Sequence, residues 1–248
     1  MSTAFAARQP PSDANEPNNG GDGRLDIVLI DVDVSETVPY EKAKACTSPA
    51  FILLQRTASI SDVAHEVMHA FQHSYAYAQD CASYHWLKEA TATWAEDFVY
   101  PAVDQEHGSS LAFLSQPEKS LETSEGEFGR SHEYGAYLLP FFLTCISGPC
   151  DHATRPTYSP YLQVAWDNTE RSDSLTAIND ALPRWRHNLH ARGLGGDTEH
   201  VHANHAIELL GRLRDGHQRL RLAAVSRNAA QDTLRKECPF RTSVPLAP

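Results

Sequence analysis

An α+β fold is what this sequence predicts, from three observations. Two short β-branched runs lie near the start, helical periodicity dominates the rest of the chain, and 41% hydrophobic residues over 248 positions suffice for a real core. Residues 1–23, with Pro10-Pro11, Asn18-Asn19-Gly20-Gly21 and almost no large apolar side chain, offer little to offset ordering entropy and are expected to be a flexible lead.

The folded part is expected from residue 24 to 183. Leu25 to Val32 and Ala50 to Gln55 are short and rich in β-branched or large aliphatic residues, so both are expected to be strands with a buried face, and Pro39 to Pro49 a loop between them. Apolar residues at Val63, Ala64, Val67, Met68 and Phe71, behind Ser61-Asp62, predict a helix over about 62–78. A second helical pattern spans Trp86 to Phe98 and ends before Pro101, with Trp86 and Trp94 on its core side. A third covers about 132–144, kinked or halved by Pro140, and a fourth runs from Ser174 to Leu182 before Pro183. Residues 184–248 are expected to be a basic helical region, with one or two further helices between about 202 and 236.

Net charge narrows the function classes. The chain carries −11, which argues against nucleic acid or an anionic membrane as the main partner, because both select a basic face. Lys and Arg against Asp and Glu number 10 and 26 over residues 1–183, and 11 and 6 over 184–248, so a basic tail succeeds an acidic body. A charged helix face is the simplest reading of Arg212, Arg214, Arg219 and Arg221, and a solvated stretch that of His200, His202 and His205. The most apolar segment, Tyr137 to Ile146, is too short to span a bilayer and contains Pro140, which predicts a soluble protein. Among five cysteines, the closely spaced Cys145 and Cys150 are the first expectation for a disulfide.

The chemistry is concentrated in His65-Glu66-Val67-Met68-His69. Histidines four apart share one helix face and can grip one ion, while Glu66, about 100° round the helix, can take a proton from an attacking water. In a chain of this composition the pentapeptide is expected by chance about 0.04 times, so it is suggestive but needs company. A catalytic zinc ordinarily has three protein ligands, and Glu89, 20 residues after His69 in Trp86-Leu87-Lys88-Glu89-Ala90-Thr91-Ala92-Thr93-Trp94-Ala95-Glu96-Asp97, lies on a helix able to pack beside the first.

With that third residue the pattern resembles the gluzincin superfamily of metallopeptidases, where H-E-x-x-H is succeeded about twenty residues later by a glutamate, often in W-L-x-E-G/A-x-A. The resemblance spans roughly residues 25–180, with its specific part at 60–145. It implies a zincin-like fold with a small N-terminal mixed sheet packed on the active-site helix, Zn2+ held by His65, His69 and Glu89, and Glu66 as general base. Ser131-His132-Glu133-Tyr134-Gly135-Ala136-Tyr137 is similar to the phrase that carries the oxyanion-stabilising tyrosine in aminopeptidase-like members. The matching position is His132, with Tyr134 or Tyr137 as alternatives. The aspartate that thermolysin-like members place four residues after the glutamate ligand is Thr93 here; Glu96 or Asp97 is the replacement, or faces solvent.

The function so implied is hydrolysis of a peptide or protein substrate, with endopeptidase action preferred because no amino-terminus-binding phrase precedes the helix. The sheet edge beside that helix would pair with extended peptide, and Ala50 to Gln55 is the segment nominated. Similarity to secreted bacterial metallopeptidase-like proteins implies an extracellular or periplasmic location. The alternatives are a non-peptide hydrolase on the same scaffold, an inactive zincin-like peptide binder, and an interaction protein with incidental histidines.

Overall fold

Three strands and a set of helices form the observed α+β architecture. The computed structural model describes residues 8–44, 46–116, 119–123, 132–146 and 159–181. Strand β1 (Ile27–Ile30) runs parallel to β3 (Ala50–Gln55), and β2 (Glu36–Pro39) runs antiparallel to it, giving a mixed sheet in the order β1-β3-β2. The helices are α1 (Ile60–Gln72), α2 (His85–Val99), α3 (His107–Leu114), α4 (His132–Gly135), α5 (Leu138–Ile146) and α6 (Pro160–Asn168), with a further helical run over 174–181. The expected basic region 184–248, its helices, its histidine group and Cys150 of the expected Cys145–Cys150 pair lie outside the described residues.

The sheet departs from expectation in two ways. Residues 36–39, whose sequence predicts no element, form β2, and 50–55 is the central strand rather than an edge. Ile52 and Leu53 are paired on both sides, with Ile27 and Val28 across one ladder and Thr37 and Glu36 across the other, so β3 has no free edge for a peptide. β3 alternates buried and half-buried residues, with Ala50, Ile52 and Leu54 facing inward beneath α1. All four residues of β1 are exposed, contrary to the expected buried face, because α1 lies across β3 and β2.

Helix α1 begins two residues earlier than predicted. Ser59, not Ser61, is its cap: the Asp62 amide donates to Ser59 Oγ at 3.2 Å, and the Ser59 amide donates to Asp62 Oδ2 at 2.6 Å. It ends at Gln72, before the predicted 78, where buried His73 ties the next turn to the loop ahead of β3 through Nδ1, 2.8 Å from the Ser48 carbonyl oxygen. Burial holds the His73 imidazole neutral by lowering its pKa to about 4.

α2 packs closely along α1, and its fully buried Ala90, Ala92 and Ala95 present no bulk to hold neighbouring helices apart. Trp86 and Trp94, each 1% exposed, are core residues as expected. Trp86 Nε1 donates to Ser174 Oγ at 2.8 Å, fastening α2 to the run at 174–181. The third predicted helix divides at Ala136-Tyr137, ahead of Pro140. That proline sits in the first turn of α5, where a helix has no use for its missing amide hydrogen.

Residues 8–23, expected to be a flexible lead, take a defined course over the body. Arg8 reaches Glu170 at 2.6 Å and lies 4.9 Å from the Tyr75 ring centroid, while Asp13 is buried near the Tyr40 hydroxyl. Polar contacts and turns hold this segment, which a search for large apolar residues does not register. Cys46 and Cys81 form a disulfide that joins the loop before β3 to the 3-10 turn leading into α2. Cysteine spacing alone does not suggest that pair.

Candidate metal centre

The first two ligand candidates come from helix geometry, since His65 and His69 lie one turn apart on α1, with Nε2 atoms 3.1 Å from each other. Each ring is oriented from behind. His65 Nδ1 lies 2.8 Å from Glu96 Oε1, and His69 Nδ1 lies 2.9 Å from Gln72 Oε1. Both partners are acceptors, so both Nδ1 atoms are the protonated, donating nitrogens in the neutral rings. The Nε2 lone pairs are therefore turned toward each other.

Glu89 closes the group from α2. Its Oε2 is 3.4 Å from His65 Nε2 and 3.5 Å from His69 Nε2, is buried, and accepts no hydrogen bond. Three electron-pair donors thus converge with no proton among them in that tautomer, an arrangement unfavourable without a cation. Four-coordinate zinc with ligand bonds near 2.0–2.1 Å sets its donor atoms about 3.3 Å apart. The observed 3.1, 3.4 and 3.5 Å fit such an ion.

A proton can stand in for a metal here. Burial opposes charge on His65, but the carboxylates of Glu89 and Glu96 on either side outweigh it and raise its pKa to about 10. Glu89 shows the reciprocal effect: burial works against its charge, yet His69 and His65 hold it well below the usual carboxylate range. Glu96 is raised, chiefly by burial.

Gln72 escapes sequence reading, although its place three residues after His69 is a signal for it. It is fully buried, and its amide nitrogen donates to the Lys88 carbonyl at 2.9 Å and Thr91 Oγ1 at 3.0 Å. One side chain therefore orients His69 and clamps α1 to the turn of α2 that contains Glu89. Of Glu96 and Asp97, Glu96 is the one that reaches a ligand candidate, His65, and Asp97 is buried elsewhere.

Glu66 is buried and anchored from the sheet. The Thr37 hydroxyl is 2.8 Å from both Glu66 Oε2 and the Glu66 carbonyl oxygen, leaving Oε1 available for a proton. Thr37 belongs to β2, so the strand missed in the sequence is the one that holds the candidate base.

The oxyanion candidates lie at different distances from the cluster. His132, the first choice, is 1% exposed with its ring 4.9 Å from that of Phe113, so its side chain faces α3 rather than the cluster. Tyr134 lies at the cluster: its ring stacks 5.7 Å from the His65 ring at 17°, and burial and then the charge of Glu89 raise its hydroxyl pKa. Tyr137 is fully buried in the core. A four-residue helix, α4, turns consecutive side chains by about 100°, which separates His132 from Tyr134. Gly135 sets its depth, since a Cβ there would meet the Ser109 carbonyl oxygen and Phe113 Cβ.

His85, half exposed at the start of α2, bridges Glu89 Oε1 at 3.6 Å and buried Glu133 Oε1 at 3.4 Å. Its pKa is raised, first by Glu133 and against burial. No family model, curated protein or solved structure matches this chain.

Proposed function

We propose that the chain is a zincin-like zinc metallopeptidase of gluzincin type, hydrolysing peptide bonds in an extended peptide or protein. The convergence of His65 Nε2, His69 Nε2 and Glu89 Oε2 carries this reading. Zinc at that point would supply Lewis acidity and lower the pKa of a coordinated water to about 7.

The remaining residues fit the other parts of the reaction. Glu66, kept as an acceptor on Oε1 by the Thr37 bond to Oε2, would take a proton from the attacking water and deliver it to the leaving amine. Tyr134, at the edge of the cluster, would donate its hydroxyl to the oxyanion. The free edge among the described strands on this side is β2, and an extended peptide pairing there would run past Thr37 and Glu66.

An exported location agrees with the Cys46–Cys81 disulfide, which persists in oxidising compartments. Among the described residues no helix is long and apolar enough to cross a membrane.

Metal content by mass spectrometry, with casein hydrolysis on the same samples, tests the proposal. One zinc bound through His65, His69 and Glu89, lost in Glu89→Ala, with chelator-sensitive hydrolysis abolished in Glu66→Gln, is the expected result. Zinc without hydrolysis would reduce the protein to a peptide binder. Wild type that takes up no zinc through this group would overturn the reading.

A further inference from the structure

A second group of ligand atoms closes the loop between α2 and α3. Asp104, Glu106 and His107 bring a nitrogen and two carboxylate oxygens within 4.8 Å of one another. Asp104 is exposed, His107 is half-buried and Glu106 is 2% exposed, so the group runs from solvent to interior. His107 lies between the acids, with Nε2 3.2 Å from Glu106 Oε1 and Nδ1 3.8 Å from Asp104 Oδ1.

Glu106 is the residue that requires explanation. Both of its oxygens are buried without a hydrogen bond, and Oε1 has the His107 imidazole nitrogen 3.2 Å away. Burial, and after it the charges of Asp97, Asp104 and Glu96, raises its pKa to about 8. A buried carboxylate in acidic company is strongly disfavoured unless a proton or a cation accompanies it. A proton satisfies Glu106 alone, whereas a cation would also hold exposed Asp104 and the imidazole in one arrangement.

We propose that Asp104, Glu106 and His107 form a second divalent-cation site, separate from the His65–His69–Glu89 cluster, for a transition-metal ion of the Mn2+ or Zn2+ class. Two carboxylates with one imidazole suit such an ion better than Ca2+, which prefers an all-oxygen shell. Exposed Asp104 leaves an entry path, and water completes the coordination. The site pins the first residue of α3. Ser109 and Phe113 on that helix pack on Gly135 of α4, so the ion would steady the element that carries Tyr134.

The proposal does not depend on peptidase activity or on the first cluster, and its test removes that cluster. Full-length Glu89→Ala protein, stripped of metal, is titrated with Mn2+ while the free-ion EPR signal is monitored. One bound Mn2+ per chain is expected, with affinity falling at least tenfold when Glu106→Gln or His107→Ala is added, and with equimolar Ca2+ unable to displace it. Glu106→Gln removes the carboxylate and keeps the shape, so circular dichroism should show an intact fold, with a melting temperature that Mn2+ no longer raises. No Mn2+ binding in Glu89→Ala, binding indifferent to both added substitutions, or displacement by Ca2+ would each overturn the proposal.

Discussion

Glu96 Oε1 stands 2.8 Å from His65 Nδ1, on the side of the ring opposite the nitrogen that faces His69 and Glu89. The carboxylate therefore fixes both the tautomer and the angle of the ring while touching no ligand atom. Removing it frees the imidazole to rotate and to protonate the wrong nitrogen. Glu96→Ala is expected to weaken zinc binding about 10–100-fold with the fold retained, and Glu96→Gln, which preserves an acceptor, to lose less. Competition against a chromogenic chelator measures both.

Gln72 has a stability role as well as an orienting one. Its amide bridges His69, the Lys88 carbonyl and Thr91 across the α1–α2 seam without water access. Gln72→Leu keeps the volume and strands those partners, so a loss of about 1–3 kcal/mol is expected in urea unfolding of the metal-free protein. Zinc affinity should fall in the same variant, because the two helices that hold the ligands lose their clamp.

Tyr134 and His132 are separable by kinetics. Tyr134→Phe should retain zinc and lose about 10²–10³-fold in kcat, the range for removal of one oxyanion donor. His132→Phe should leave kcat within a few-fold and act on stability, since that ring packs on Phe113 in the interior. The opposite result, a kcat loss confined to His132→Phe, would assign the role to His132, as the sequence resemblance implies.

Zinc uptake should depend on pH in a fixed direction. In the metal-free protein His65 is held protonated up to about pH 10 by Glu89 and Glu96, against the ordinary imidazole value of 6.5. Its raised folded-state pKa contributes stability that is fully present below 6.5 and is lost as pH rises through about 10. A metal must displace that proton, so zinc affinity rises with pH over the same window. The melting-temperature increase on adding zinc should therefore be larger at about pH 9 than at about pH 7. Glu96→Gln should flatten the difference.

Removing Thr37 tests the link between the sheet and Glu66, the proposed base. Thr37→Val keeps the β-branched shape and deletes the hydroxyl that holds Glu66 Oε2. Zinc content should be unchanged, with kcat reduced by about tenfold, because the Glu66 carboxylate is no longer held in one orientation by the strand. Zinc content and kcat of the variant, measured side by side with wild type, decide it.

What the sequence determined by itself was whatever depends on spacing along one helix or on composition. Residues four apart share a face wherever an α-helix forms, so the pairing of His65 with His69, and the offset of Glu66, could be read before any tertiary contact was known. The α+β class, the core tryptophans of α2 and the limits of its helix were legible for the same reason, since each rests on local periodicity. Tertiary structure alone decided which distant groups meet. Thr37 comes to Glu66 through an antiparallel pairing in a strand of four residues, too short and polar to announce itself. That Tyr134 rather than His132 stands beside the cluster depends on how α4 is rolled against α3, and Gly135 sets that depth through a contact with Ser109, 26 residues away in sequence. Placement of 50–55 in the middle of the sheet, and of Glu106 in an acidic interior, results from the packing of whole elements, whose energies are sums over many long-range contacts that no short window of sequence contains.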